Sequence, residues 1–196
     1  MTTQLLFVQG AGQNVHDEWD NRLVDSLARE LGDGYEIRYP RLPDEADARY
    51  AAWKPELLRE LNTLPNGAVL VGHSVGGTIL LHVLAEEHLK MHIAAIALIA
   101  TPFIGVGGWP SDELEPRTDF GARLPEGTPI FLYHGTDDEI VPIDHLSLYA
   151  RAIPQATIRV LDHRDHQLDN DLGVVARDIR DLNQSAPDSA RNKRSD

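Results

Sequence analysis

Short apolar runs alternate along this chain with segments whose apolar residues recur every three or four positions. Leu5 to Val8, Tyr35 to Tyr39, Ala68 to Gly72, Ile93 to Ile99, Ile130 to Tyr133 and Thr157 to Leu161 read as six strands. Between them lie amphipathic stretches. In Asp17 to Leu31 the apolar residues Trp19, Leu23, Leu27 and Leu31 share one face, and Gly32 and Gly34 end the helix. Trp53 to Leu64, Gly76 to Leu89, Leu146 to Ile153 and Leu172 to Leu182 repeat that period, with Trp53 on the core side. Strand and helix in alternation predict an α/β fold, a three-layer α/β/α sandwich around a mostly parallel sheet of about six strands. In such a sheet, sites lie beyond the carboxyl ends of the strands.

Two stretches break the pattern. Thr101 to Gly127 is long and irregular, and loops of that length inside compact domains are often functional. It carries Phe103 and Trp109, which are candidates for a substrate pocket wall. Residues 184–196 have no apolar face and read as a frayed tail, so a single domain is expected over 1–183.

Composition narrows the function classes. A net charge of −13 disfavours nucleic acid, whose binding draws on Lys and Arg contacts to phosphate, and weakens attraction to anionic membranes. With no cysteine there is no thiolate nucleophile and no cysteine zinc site. The first residues lack a basic signal region, and the longest apolar stretch, Ile93 to Ala100, falls far short of the ~20 residues that span a bilayer. A cytoplasmic protein is the expectation, as a monomer or small homo-oligomer acting on a small molecule.

The chemistry concentrates where strands end. Gly72-His73-Ser74-Val75-Gly76 fits G-x-S-x-G, with a strand before it and a helix after it, which is the context that motif needs. The glycines allow a tight turn that lifts the Ser74 hydroxyl above the sheet. A serine is a weak nucleophile until a base takes its proton. Of nine histidines, His163 and His166 stand in the loop after the last strand, on the serine's side. His73 points away, His82, His88 and His92 read as exposed, and His16 follows the first strand and could touch the site. Asp137, Asp138 and Glu139 follow the fifth strand, where one of them could orient an imidazole. The backbone N–H of Val75 and, in the Gly10-Ala11-Gly12 turn, that of Ala11 are the candidate oxyanion donors, with Gly10 beside the substrate.

These residues resemble the compact, capless branch of the α/β-hydrolase family, near the retinoblastoma-binding-protein-9/YdeN-like hydrolases. Gly-His-Ser-Val-Gly-Gly at 72–77 and His-Gly-Thr-Asp-Asp-Glu-Ile-Val-Pro at 134–142 carry the resemblance, which covers residues 4 to 182. It implies that the acid is Asp138 and the base His166. It also implies hydrolysis of a small ester, thioester or amide with no cofactor and no metal. The chain departs from many relatives in having Gln9-Gly10 where they have His-Gly.

Three other readings compete. A binding protein that kept the fold without the catalysis needs a defect in geometry. A dinucleotide module is weakened because Val15 stands where the third glycine of G-x-G-x-x-G belongs and Tyr39-Pro40 closes the second strand without an acid. Metal hydrolysis through Asp137, Asp138, His163 and His166 lacks a helical H-E-x-x-H arrangement.

Overall fold

The computed structural model describes residues 2–185. Six strands form one sheet in the order β2-β1-β3-β4-β5-β6, and every neighbouring pair is parallel. They are β1 (Thr3–Val8), β2 (Tyr35–Arg38), β3 (Ala68–His73), β4 (Ile93–Ile99), β5 (Ile130–Gly135) and β6 (Thr157–Leu161). The helices are α1 (Asn21–Leu31), α2 (Tyr50–Leu61), α3 (Ser74–Glu86), the short α4 (Phe120–Arg123), α5 (Asp144–Ala152) and α6 (Gly173–Ser185). The fold is the expected α/β sandwich, and its sheet is parallel throughout.

Strand periodicity explains the two cores. Side chains alternate across the sheet, so Leu5 and Phe7 join Val69, Val71, Ala95 and Ala97 beneath α1 and α6. Leu6 and Val8 join Leu70, Ile96, Leu98 and Leu132 on the opposite face, beneath α2, α3 and α5. Because both faces are covered, the central strands are apolar at nearly every position. Trp53 is fully buried on α2, and its indole N–H donates to the Pro43 carbonyl at 2.7 Å.

The strand order determines where a ligand can sit. From β1 the chain turns outward to β2, then crosses back to β3 and proceeds to the other edge. The carboxyl ends of β1 and β3 therefore adjoin at the point where the order reverses, the usual crevice for a ligand in an open α/β sheet.

Departures from the periodicity are local. The segment expected as the start of the first helix is a π-helical turn over Val15–Asp20, and only Asn21 onward is α-helical. The wider turn changes the phase, so Val15 and Asp20 are buried while Trp19 is half exposed instead of facing the core. His82, expected at the surface, is buried, because α3 lies between the sheet and α2 and is enclosed almost all round. Helix α6 continues through Gln184 and Ser185, positions expected in the tail; the rest of that segment lies outside the described residues. Among the described residues, no helix is long and apolar enough to cross a membrane.

Candidate active site

Ser74 opens α3 directly after β3 with φ of 50°, a left-handed conformation that costs a non-glycine residue about 1–3 kcal/mol. Close backbone approach on both sides holds it there. A Cβ on Gly76 would lie 1.9 Å from the Gln9 carbonyl oxygen, and one on Gly72 would lie 2.6 Å from the Gly77 Cα. The end of β3 thus meets the first turn of α3 with no room for a side chain, and the loop after β1 is pressed against that same turn.

His166 stands over this turn, between the serine and an acid. Its Nε2 lies 3.0 Å from Ser74 Oγ and its Nδ1 lies 2.8 Å from Asp138 Oδ2. Nδ1–H can donate only to the carboxylate, which leaves the Nε2 lone pair to accept the serine proton. The other Asp138 oxygen accepts the backbone N–H groups of Ile140 and Val141 at 2.8 and 2.9 Å. His134, buried behind it, places Nε2 3.3 Å from Asp138 Oδ2 while donating to the Val141 carbonyl.

The electrostatics follow from these contacts. Burial alone would favour a neutral Asp138, but hydrogen bonds from His134, His166 and the Val141 amide hold its pKa far below the ordinary carboxylate range. Burial works on His166 in the other sense. It disfavours the imidazolium, with the help of the nearby His73, and outweighs the support from Asp138, so the pKa falls below its ordinary 6.5. At neutral pH the pair is a carboxylate beside a neutral imidazole, the state a general base requires.

The remaining candidate residues divide between the site and its surroundings. His163 is 91% exposed and turns to Asp137, with Nδ1 to Oδ2 at 3.6 Å, so of the two histidines in that loop only His166 reaches Ser74. Ala11, Val75, Trp109 and His166 line a cavity of about 740 Å³ above Ser74, together with Val15, Trp19 and Ile140. Gly10 sits beneath it, where an added Cβ would lie 3.2 Å from Ser74 Cβ. Phe103, expected in the pocket wall, and His16, expected to touch the site, are elsewhere. Phe103 is buried with its ring 5.1 Å from that of Tyr149, because the loop after β4 first dives into the core. His16 is stacked on Tyr39 at 4.1 Å and tied to Asp17 by the π-helical turn, and it lines no part of the cavity.

The unusual Gln9 also has a place. Its side chain is fully buried, accepts the Leu42 N–H at 3.1 Å and donates to Glu45 at 3.0 Å, so it ties the loop after β1 to the segment before α2. Trp19 and Ile140 escape a reading of the sequence. Their exposure, 50% and 59%, is the signal that marks them, but it arises from turn geometry that periodicity does not encode. Among the described residues no three His, Asp or Glu side chains converge as a metal site.

Comparison with known proteins agrees with this architecture. The ydeN gene product from B. subtilis is 21% identical, with 93% of this chain and 100% of that one covered at a TM-score of 0.73. Alpha/beta hydrolase domain-containing protein 10 from mouse is 20% identical over 94% and 90%, at 0.66. Est1E from Butyrivibrio proteoclasticus, solved with ferulic acid, is 16% identical over 93% and 88%, at 0.66. No curated protein sequence matches. The profile of the alpha/beta hydrolase family matches residues 5–185, and the chain belongs to that family.

Proposed function

We propose that the protein is a serine hydrolase that cleaves small carboxylic esters, or the related thioesters or amides, through an acyl-enzyme. The observation that carries this reading is the placement of His166 Nε2 and Nδ1 at 3.0 and 2.8 Å from Ser74 and Asp138. A binding-only role would need that contact to be broken, and the distances favour catalysis instead.

In the first step Ser74 Oγ attacks the substrate carbonyl while its proton passes to His166 Nε2. Asp138 stabilises the imidazolium that forms. Negative charge develops on the former carbonyl oxygen. The Val75 N–H, free of an intrahelical partner in the first turn of α3, and the Ala11 N–H are the proposed donors to it. Collapse of the tetrahedral species expels the alcohol, which takes the proton from His166. A water then gives a proton to His166, attacks the acyl-serine and releases the acid, returning the proton to Ser74. No cofactor takes part.

The test uses p-nitrophenyl esters of graded length. Ser74→Ala should reduce turnover by about 10⁴–10⁶-fold. His166→Ala should fall similarly, while His163→Ala stays near the wild type. Turnover in the Ser74 variant close to wild type, or equal mild losses in the two histidine variants, would overturn the assignment.

A further inference from the structure

Beneath the proposed triad lies a second acid–histidine pair that takes no part in the acyl transfer. Asp20 and His73 are 0% and 1% exposed, and His73 Nδ1 lies 2.9 and 3.0 Å from the two carboxylate oxygens of Asp20. The opposite ring nitrogen, Nε2, lies 3.1 Å from the backbone carbonyl oxygen of His166. A carboxylate and a carbonyl are both acceptors only, so each ring nitrogen must carry a hydrogen to make its bond. The remaining reach of Asp20 is to the loop after β1 and to the loop of the base. Its Oδ2 accepts the Gly10 N–H at 2.6 Å, and Oδ1 is 3.4 Å from the Gln167 side-chain amide.

We propose that His73 is held as an imidazolium by Asp20, and that this buried pair is a positioning device for the hydrolysis, locking the loops of the base, the nucleophile and the oxyanion donor into one register. The inference rests on the serine-hydrolase reading. Its three connections lead to the three parts that must be aligned. One runs to Gly10, the neighbour of Ala11; one lies within His73 itself, the neighbour of Ser74; and one reaches the backbone of His166.

The pair also biases the base. The His73 and His166 rings are 4.9 Å apart. Charged groups facing His166 are Asp138 from the loop after β5, Asp20 from the turn before α1 and His73 from the end of β3. Asp137, Glu139 and Asp165 line the cavity around it. The positive charge of His73 opposes protonation of His166, and the two carboxylates favour it. Burial penalises charge on His73, yet Asp20 and the His166 carbonyl more than offset it and raise its pKa, so the imidazolium persists through the range in which His166 titrates. Asp20 in turn stays ionised despite its burial, through His73 and the Gly10 amide.

The wild-type protein permits a direct reading. In ¹⁵N-labelled enzyme at pH 7, both His73 ring nitrogens should give protonated-nitrogen shifts, while His166 reads as neutral with its proton on Nδ1. A His73 with one bare nitrogen would overturn the proposal. Two variants then separate positioning from plain stability. His73→Asn retains a donor towards Asp20 but loses both the charge and the bond to the His166 carbonyl. It should lower kcat by about 10²-fold, the scale of a 1 Å misplacement, leave KM within about threefold, and move the acid limb of the kcat/KM profile to higher pH. His73→Gln, which can return a donor near the Nε2 position, should recover part of kcat but not the position of that limb. A His73→Asn protein that melts earlier but keeps wild-type kcat and pH profile would contradict the proposal. Should that variant fail to fold, the nitrogen shifts of the wild type still decide. If Ser74→Ala retained turnover, the hydrolase reading would fall, whereas the protonation state of His73 would stand or fall separately.

Discussion

At the scale of single residues, the proposed mechanism depends on neighbouring histidines being given different charges by different surroundings. His166 faces a carboxylate on one side and a hydroxyl on the other, so it can be neutral, and burial keeps it so. His73 faces acceptors on both sides and is driven to the charged form. In the proposed mechanism only the first can take a proton from Ser74. That mechanism requires neutral His166, whose pKa in the folded protein is lowered, so the competent form is present above that pKa and lost as pH falls through it. The acid limb of kcat/KM should therefore have its midpoint below 6.5, the ordinary histidine value. A stopped-flow ester assay from about pH 4 to 8 checks this, and a midpoint above 6.5 would show that burial does not govern the base.

Much at this scale is legible in the sequence. Ser74 is marked by its glycines, and the position of His166 after the last strand narrows the choice to two histidines. Choosing Asp138 over Asp137 needs the family pattern, since both acids occupy one turn. Asp20 gives no signal at all, because an acid in the first turn of an amphipathic helix is an ordinary partner of the helix dipole. Its partner His73 is 53 positions away, and the contact between His73 and the His166 carbonyl spans 93. Pairings at such separations are made by the sheet and leave no periodic trace.

At the scale of elements, the junction of β1, β3 and α3 holds the geometry in place. The Ser74 elbow is strained, and it persists because the loop after β1 leaves α3 no other position. Gly76→Ala would put a methyl group 1.9 Å from the Gln9 carbonyl oxygen, which forces backbone apart rather than a flexible side-chain end. The substitution should destabilise by about 1–3 kcal/mol and also reduce turnover, since Ala11 moves with Gln9. Gly34→Ala is the control, because an added Cβ there meets nothing within 4 Å, and it should leave both quantities nearly unchanged. Urea unfolding with ester turnover on the same samples separates the two outcomes, and equal effects would mean the junction has slack. Strands and helices are readable here because both sheet faces are buried, which imposes long apolar runs and clear helical periods. The π-helical turn at Val15–Asp20 is not, because its residues continue the α-helical period of the segment after it.

At the scale of the whole molecule, two cavities open on the same side and share a wall. The larger, about 740 Å³, contains Ser74 and His166; the second, about 390 Å³, is lined by Thr78, Ile79, Ile104 and Leu114, with Arg49 and Glu113 paired at its rim. Val75 and Trp109 line both. Trp109 is held by backbone bonds to Phe103 and Gly105, and its indole meets the His145 ring edge-on at 5.8 Å, so it stands as a partition between the cavities. Trp109→Ala should join the cavities and shift preference towards longer acyl chains by about tenfold, the lower end of the worth of one added methylene in an apolar pocket. Melting temperature should change little, since the indole is only half-buried. Unchanged chain-length preference with a lowered melting temperature would make Trp109 a structural residue. Trp109 is expected at a pocket wall from the sequence and lines both cavities, but their extent is not foreseeable, since the loop from Thr101 to Gly127 follows no period and its course is set by the tertiary fold.

The most direct measurement is covalent labelling by a fluorophosphonate, which reacts fastest with a serine activated by a base. Peptide mapping of the labelled wild-type protein should place one adduct, on Ser74. Labelling should vanish in Ser74→Ala and slow by orders of magnitude in His166→Ala. An adduct on another residue, or a Ser74→Ala protein that labels as fast as the wild type, would contradict the account.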